Sequence, residues 1–303
     1  AILDYIGALE TALKETESKL WIYEHPVVHQ NDLFSADRME WYKQLFDQAE
    51  QAVQNEPVYL NHVRVARLPI QYAAMEIAVN QLFSERGWYQ LRDDGKTIPN
   101  AALQNTLEQF EKTCQQNQVP TINESGLTPA DYIRSLQRMI DIDIEGNLAF
   151  GKKISASVPP DPKYLNGDLS YLSNGVNGAS DYNIHWLGWF GKDTELILDL
   201  EKETGARNIS INSLWNGKSW ILHPTEVACS VSLDGTTYFP VGSIEVTGEQ
   251  EKEDLIRSYV FHPENKPYRY VKLRIKGTGK LFNWHPSAGE PSWFFLDEIS
   301  VRN

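Results

Sequence analysis

Three short stretches in the second half of the chain combine side chains able to recognise a sugar. They are Asn183-Ile184-His185-Trp186, Leu214-Trp215-Asn216-Gly217-Lys218 and Asn283-Trp284-His285. A pyranose ring presents a face of C–H groups that packs on an indole plane, and its hydroxyls need a few fixed donors and acceptors, which Asn and His supply. Trp215 lies in a turn with Asn-Gly inside it. A loop tryptophan flanked by Asn216 and Lys218 suits a sugar platform, although the same ring can lie flat on the rim of a fold. His185 with Trp186, and Trp284 with His285, are open to a second reading in which the two loops pack on each other and close the fold. The second half holds six of the nine tryptophans. Of these, Trp189 and Trp220 adjoin strand-like runs and read as core.

Catalytic arrangements are weaker. His25 and His29 have the i,i+4 spacing of a zinc helix, but Pro26 lies between them and no Glu occupies the position that a metalloprotease helix requires. Glu24 and Asp32 are the carboxylates of the first half that could act as a pair in glycoside hydrolysis, but acidic residues are so abundant there that a solvated face explains them equally. The chain contains no GxSxG, P-loop, GxGxxG or CxxC. Catalytic residues are therefore assigned to none.

The composition narrows the partners. The 303 residues are 41% hydrophobic and carry a net charge of −13. Residues 1–150 hold 12 basic against 22 acidic side chains, and residues 151–303 hold 16 against 19. Neither half offers the basic stripe that nucleic acid or an anionic membrane attracts. No apolar run approaches the ~20 residues of a membrane span, and the N-terminus lacks both Met and a signal pattern, so the sequence reads as a piece of a longer protein. Cys114 and Cys229 fall in different halves, which excludes a disulfide within either.

Two kinds of element must position these side chains. Residues 1–150 show helical periodicity. Ile2, Ile6, Leu9, Leu13 and Leu20 recur at three-to-four spacing, and a second helix opens at Ser35. A third is expected over Val58–Phe83, with Tyr59, Val63, Ala66, Ile70, Ala73, Ile77 and Ala78 inward and a kink or break at Pro69. A helix over Ala101–Gln116 follows, and a last one is opened by Thr128-Pro129-Ala130-Asp131, a capping box in acidic form. Trp21–His29 reads as a strand or extended link, and Asp93-Asp94-Gly95-Lys96 as a turn. From about Gly151 the helical spacing disappears. Runs such as 195–200, 208–212, 226–232 and 269–275 alternate or stay apolar for five to seven residues between turn signals, which argues for an antiparallel sandwich. The expected organisation is an α-helical bundle over 1–150 and an antiparallel β-sandwich (jelly roll) over 151–303.

The order of motifs in the second half carries a resemblance. It runs Gly151-Lys152-Lys153-Ile154, Pro159-Pro160-Asp161-Pro162-Lys163-Tyr164, Leu172-Ser173-Asn174-Gly175-Val176-Asn177-Gly178 and Trp186-Leu187-Gly188-Trp189. Then come Leu196-Ile197-Leu198-Asp199-Leu200, Ser219-Trp220-Ile221-Leu222-His223-Pro224, Val231-Ser232-Leu233-Asp234-Gly235, Arg269-Tyr270-Val271 and a closing strand ending in Asp297-Glu298-Ile299. This resembles a coagulation factor 5/8 type C (discoidin-like, galactose-binding-like) domain of the kind attached to bacterial beta-hexosaminidases. The resemblance implies a jelly roll, carbohydrate binding of the family 32 module type, and an extracytoplasmic location. It also implies one calcium ion near Ser173–Asn177, with Asn174, Asn177 and Glu298 as candidate ligands; Asn174 stands where the family usually has Asp. The first half, through Lys19–His29 and Val63–Tyr72, is similar to the helical part of a domain of unknown function found with bacterial glycoside hydrolases. Together the resemblances imply the non-catalytic region of a glycan-degrading protein, whose partners are a glycan and an upstream catalytic domain. Two alternatives stand beside it: a purely structural module, and a hydrolase working through carboxylates of the helical half.

Overall fold

A computed structural model describes residues 2–19, 25–92, 97–124, 126–142, 144–264 and 266–303. The chain divides into two compact units, Ala1–Ile140 and Asp141–Asn303. Residues 21–24, Glu24 among them, and the whole of the expected turn at 93–96 lie outside the described residues.

The first unit is helical. It contains α1 (Ile2–Thr16), α2 (Ala36–Ala52), α3 (Pro57–Asn80), a small antiparallel hairpin of β1 (Tyr89–Leu91) and β2 (Thr97–Pro99), α4 (Ala101–Gln116) and α5 (Pro129–Ile140). Apolar residues at helical spacing explain the core of Ala8, Tyr42, Leu45, Phe46, Ala49, Val63 and Ile70. Of the two outcomes expected at Pro69, a kink or a break, the break does not occur: α3 runs as one helix through it. Its C-terminal half, from Ile70, is buried among α2, α4 and α5, and this packing outweighs the single missing backbone bond. Tyr59, expected to face inward, is 60% exposed, because the first turns of α3 extend beyond that core. The α5 start matches its sequence signal. The Thr128 hydroxyl accepts from the Asp131 N–H at 3.2 Å and donates to the Asp131 carboxylate at 2.7 Å. The Pro26–His29 segment is a 3-10 turn, not an extended link. No helix among the described residues is long and apolar enough to cross a membrane.

The second unit is a β-sandwich. Its strands are β3 (Ile154–Ala156), β4 (Leu187–Phe190), β5 (Thr194–Thr204), β6 (Asn208–Leu214), β7 (Glu226–Ser232), β8 (Phe239–Glu245), β9 (Ile256–Phe261), β10 (Tyr268–Lys276) and β11 (Trp293–Arg302). One sheet has the order β3-β5-β10-β7-β8 and the other β4-β11-β6-β9, with every strand pair antiparallel. Alternate residues of β5 (Leu196, Leu198, Leu200) and β10 (Val271, Leu273, Ile275) enter a core shared with Trp189, Ile209, Ile211, Phe294 and Leu296. Trp189 stacks on Phe294 at 5.3 Å.

Strand β11 decides where the carboxylates point. Phe294 and Leu296 belong to the main core, and so do Ile299 and Val301, so the inward phase changes between 296 and 299. The register against β6 slips at the same place, with Asp297 opposite Asn212 and Ser300 opposite Ser210. That is a β-bulge, and it turns the consecutive Asp297 and Glu298 to the outer side together. Phe295, also outward, is buried in a second cluster with Tyr164, Trp186, Leu214 and Ile221. Burial on both faces explains why β11 reads as an apolar run and not as an alternation.

Candidate functional site

The loops beyond β6 bring three tryptophans to one place. Strand β6 ends at Leu214, and the chain turns through Trp215 and Asn216 into a 3-10 turn at Gly217–Ser219. The Asn216 side chain caps that turn by accepting from the Ser219 N–H at 3.2 Å, and its backbone bridges to Ile221. Trp220 then adopts φ +66, a left-handed conformation uncommon for a bulky residue. Gly217 is wedged between rings. A Cβ there would stand 2.9 Å from Cζ2 of Trp215 and 2.9 Å from Cη2 of Trp284, so only glycine lets these two indoles converge. His285 meets Trp284 edge-on at 5.4 Å and Trp220 at 6.1 Å. Trp215, Trp220 and Trp284 remain partly exposed, while His285 is buried.

A single loop holds the two converging indoles. The Trp215 N–H donates to the carbonyl of Gln250 at 3.1 Å, and the Trp284 N–H donates to the carbonyl of Glu249. Gln250 is itself fixed by a reciprocal pair with the backbone of His223, at 2.9 and 3.0 Å. His223 is fully buried. Its Nε2 faces the carbonyl oxygen of Asp254 at 2.9 Å and must donate there, which leaves Nδ1 to accept from the Ser213 hydroxyl at 2.6 Å. Burial accordingly lowers the His223 pKa to about 4. Ser213 and His223 resemble part of a hydrolytic triad, but both are fully buried and the third partner is a backbone carbonyl, so the arrangement is a brace. Gln250 and His223 were not found as site residues by sequence reasoning. His223 follows Trp220 by three residues, a weak signal, and Gln250 lies in a run of charged residues that gives none.

The six expected sugar contacts therefore divide. Trp215, Asn216, Trp284 and His285 come together. His185 and Trp186 do not offer the sugar surface expected of them, because both are buried. The Trp186 N–H donates to the carbonyl of Ala179 at 3.0 Å, and Gly178 packs so closely on the indole that a Cβ would fall 2.3 Å from Cε2. His185 lies against Tyr171, with ring centres 5.7 Å apart.

The expected calcium ligands form a second cluster. Glu298 accepts from the Gly175 N–H at 3.0 Å and from the Asn147 amide at 3.2 Å, and Asp297 accepts from the Gly178 N–H. The Asn174 side chain accepts from the Val176 N–H, and the Asn177 side chain from the Asn212 amide. The groups facing these oxygens are N–H donors, whereas a calcium site needs converging oxygens. Among the described residues no group of three His, Cys, Asp or Glu side chains is placed to hold a metal. The cluster fits a hydrogen-bonded tie between β11 and the 173–178 loop, and we derive no step through calcium. Burial, followed by the neighbouring Asp297, raises the Glu298 pKa to about 8.

In the helical half, His25 pairs with Glu76 at 2.7 Å, whereas His29 pairs with Asp32 at 3.1 Å, so the two histidines do not share a ligand position. Asp32 also accepts from the Ser18 hydroxyl. Cys114 and Cys229 are free and buried, and burial pushes their thiols up to about 11 and about 12.

No family model and no curated protein matches the chain. Similar solved structures align over its C-terminal half. They include chitosan-binding module 1 of a chitosanase/glucanase from Paenibacillus sp. IK-5, at 18% identity, covering 52% of this chain and 98% of that one, with a TM-score of 0.33. Another is a Clostridium perfringens module in complex with GalNAc-beta-1,3-galactose, at 14% identity, covering 50% and 95%, with a TM-score of 0.33. A third is the C-terminal domain of a chitobiase from Bacteroides fragilis, at 18% identity, covering 50% and 92%, with a TM-score of 0.32.

Proposed function

We propose that the β-sandwich binds carbohydrate at the loop end built by Trp215, Gly217, Trp220, Trp284 and His285. The observation that carries this reading is the pair of indoles that converge on Gly217 while both of their N–H groups are held by one loop. Rings fixed by their edges keep their orientation before a ligand arrives, so little freedom is lost on binding. A sugar lying on exposed rings keeps its other face in water, so only part of its surface is buried. An open site of two or three rings therefore supports affinity of about millimolar, in the range where a module works by adding to other contacts.

On this reading the chain is the non-catalytic region of a glycan-degrading protein that acts outside the cytoplasm, and the sandwich keeps an upstream catalytic domain near its substrate. The motif order of the second half supports that setting. Calorimetric titration of the intact chain with a panel of neutral and N-acetylated oligosaccharides tests the binding. Heat for at least one glycan, lost in Trp215→Ala, supports it; a panel without heat leaves the sandwich as a structural module.

A further inference from the structure

The loop between β8 and β9 is built around one side chain. Between residues 247 and 255 only Gln250 is buried, while its neighbours Glu249, Glu251 and Lys252 are exposed. The Gln250 backbone is left-handed, at φ +44. That conformation is uncommon for a residue other than glycine, and it persists only where the surroundings impose it. Here the side-chain amide imposes it. The amide pairs with His223 as a neighbouring strand would, its oxygen accepting from the N–H and its nitrogen donating to the C=O of that one residue.

The fastenings of the loop converge on few partners. Apart from the ion pair of Glu253 with Arg257, the hydrogen bonds from residues 247–254 to the rest of the sandwich, among the described residues, go to His223, Trp215 and Trp284 alone. His223 grips the loop twice, through its main chain at Gln250 and through its ring at the Asp254 carbonyl. None of residues 247–255 belongs to the main core or to the cluster around Phe295. The sandwich therefore packs without this loop, whereas the carbonyls that hold the two indoles depend on it.

We propose that Gln250 is the positioning residue of the indole pair. Its amide locks the left-handed turn, and the turn aims the successive carbonyls of Glu249 and Gln250 at the N–H groups of Trp284 and Trp215. The consequence for binding rests on the carbohydrate reading above. It adds that the orientation of both rings is set from one buried residue that itself faces no ligand. The side chain, and not the backbone conformation alone, is the agent. Glycine enters the left-handed region without strain but has no amide, so Gln250→Gly separates the two.

Hydrogen exchange of the indole N–H groups, followed by NMR on the intact chain, tests the proposal without a ligand. Trp215→Phe and Trp284→Phe identify the two signals. In Gln250→Gly and in Gln250→Ala both indole N–H groups exchange at least about tenfold faster than in the parent, as expected when a hydrogen bond loses its fixed acceptor. The indoles of Trp186 and Trp189, bonded to the carbonyls of Ala179 and Val158 inside the sandwich, keep their parental rates and report that the fold is intact. Calorimetry then shows the glycan bound by the parent held at least about tenfold more weakly by both variants. Unchanged exchange at Trp215 and Trp284 overturns the proposal. So does equal acceleration at Trp186 and Trp189, which would make Gln250 a general stabiliser, and so does parental glycan affinity in a variant whose two indoles exchange freely. A parent that binds no glycan removes the carbohydrate reading, and the exchange rates still decide whether Gln250 orients the rings.

Discussion

The indole N–H of Trp215 donates to the backbone carbonyl of Gln250 at 3.1 Å. One bond thus couples the ring most suited to a sugar face to a loop residue that is 3% exposed. Trp215→Phe keeps an aromatic face and removes the donor. It is expected to cost about 1–3 kcal/mol, the price of an unpaired buried carbonyl, while retaining part of the glycan affinity. Trp215→Ala removes both face and donor and abolishes measurable binding. Urea denaturation and calorimetry on the two variants separate these effects, and equal loss of binding in both would show that the N–H tie, not the ring, matters.

Gly217→Ala tests the convergence of the two indoles. The added methyl would stand 2.9 Å from carbons of both Trp215 and Trp284, whose N–H bonds resist displacement. The expected cost is about 1–3 kcal/mol of stability, from overpacking, with a drop in glycan affinity because the rings are pushed apart. Tryptophan fluorescence should report the displacement. A variant with parental emission, stability and affinity would mean that the rings have room to yield.

Trp186→Ala provides the opposite case. This indole is fully buried, packs with Phe295, Leu214 and Ile221, and bonds Ala179. Its truncation should destabilise the sandwich by about 3–5 kcal/mol. At a temperature where the variant is folded, its glycan affinity should be close to that of the parent. Selective loss of binding with normal stability would return Trp186 to the site.

Stability should depend on pH through two buried groups of opposite sign. Glu298 is raised from an ordinary 4.5 to about 8, so the folded state keeps a proton that the unfolded chain has released. Its contribution is full below about 4.5 and is lost as pH rises towards 8. His223 is lowered from 6.5 to about 4, so its contribution is full above 6.5 and is lost as pH falls towards 4. The two slopes oppose each other below 6.5, and above it only that of Glu298 remains, at no more than about 1.4 kcal/mol per pH unit. Urea denaturation at pH 6.5 and pH 8 should show the parent losing stability and Glu298→Gln nearly flat. Equal slopes in the two proteins would remove Glu298 as the source.

Much of the architecture was legible in local pattern. The ends of α4 and β7 and the capping box at Thr128 follow from spacing and cap chemistry, which act within a few residues. Pro69 left a kink and a break open, because the tertiary packing that keeps α3 continuous is invisible in a proline position. The short strands β3 and β4 carry too few residues to show a period. In the site, Trp215, Asn216, Trp284 and His285 stood out by residue type. Trp186 and His185 looked the same in sequence, and only the close approach of Gly178 and the second cluster around Phe295 separate a buried indole from an exposed one. The bulge in β11 likewise explains why two consecutive acids share a side, a consequence of register that no single strand reveals.

The central claim, that Trp215 and Trp284 form a sugar-binding surface, is tested most directly by titrating the intact protein and its Trp215→Ala and Trp284→Ala variants with the same glycan panel. Saturable binding of about millimolar strength by the parent, lost in both variants while their folded signal persists, is the predicted result. Binding that survives both substitutions, or a parent that binds no glycan in the panel, would contradict it.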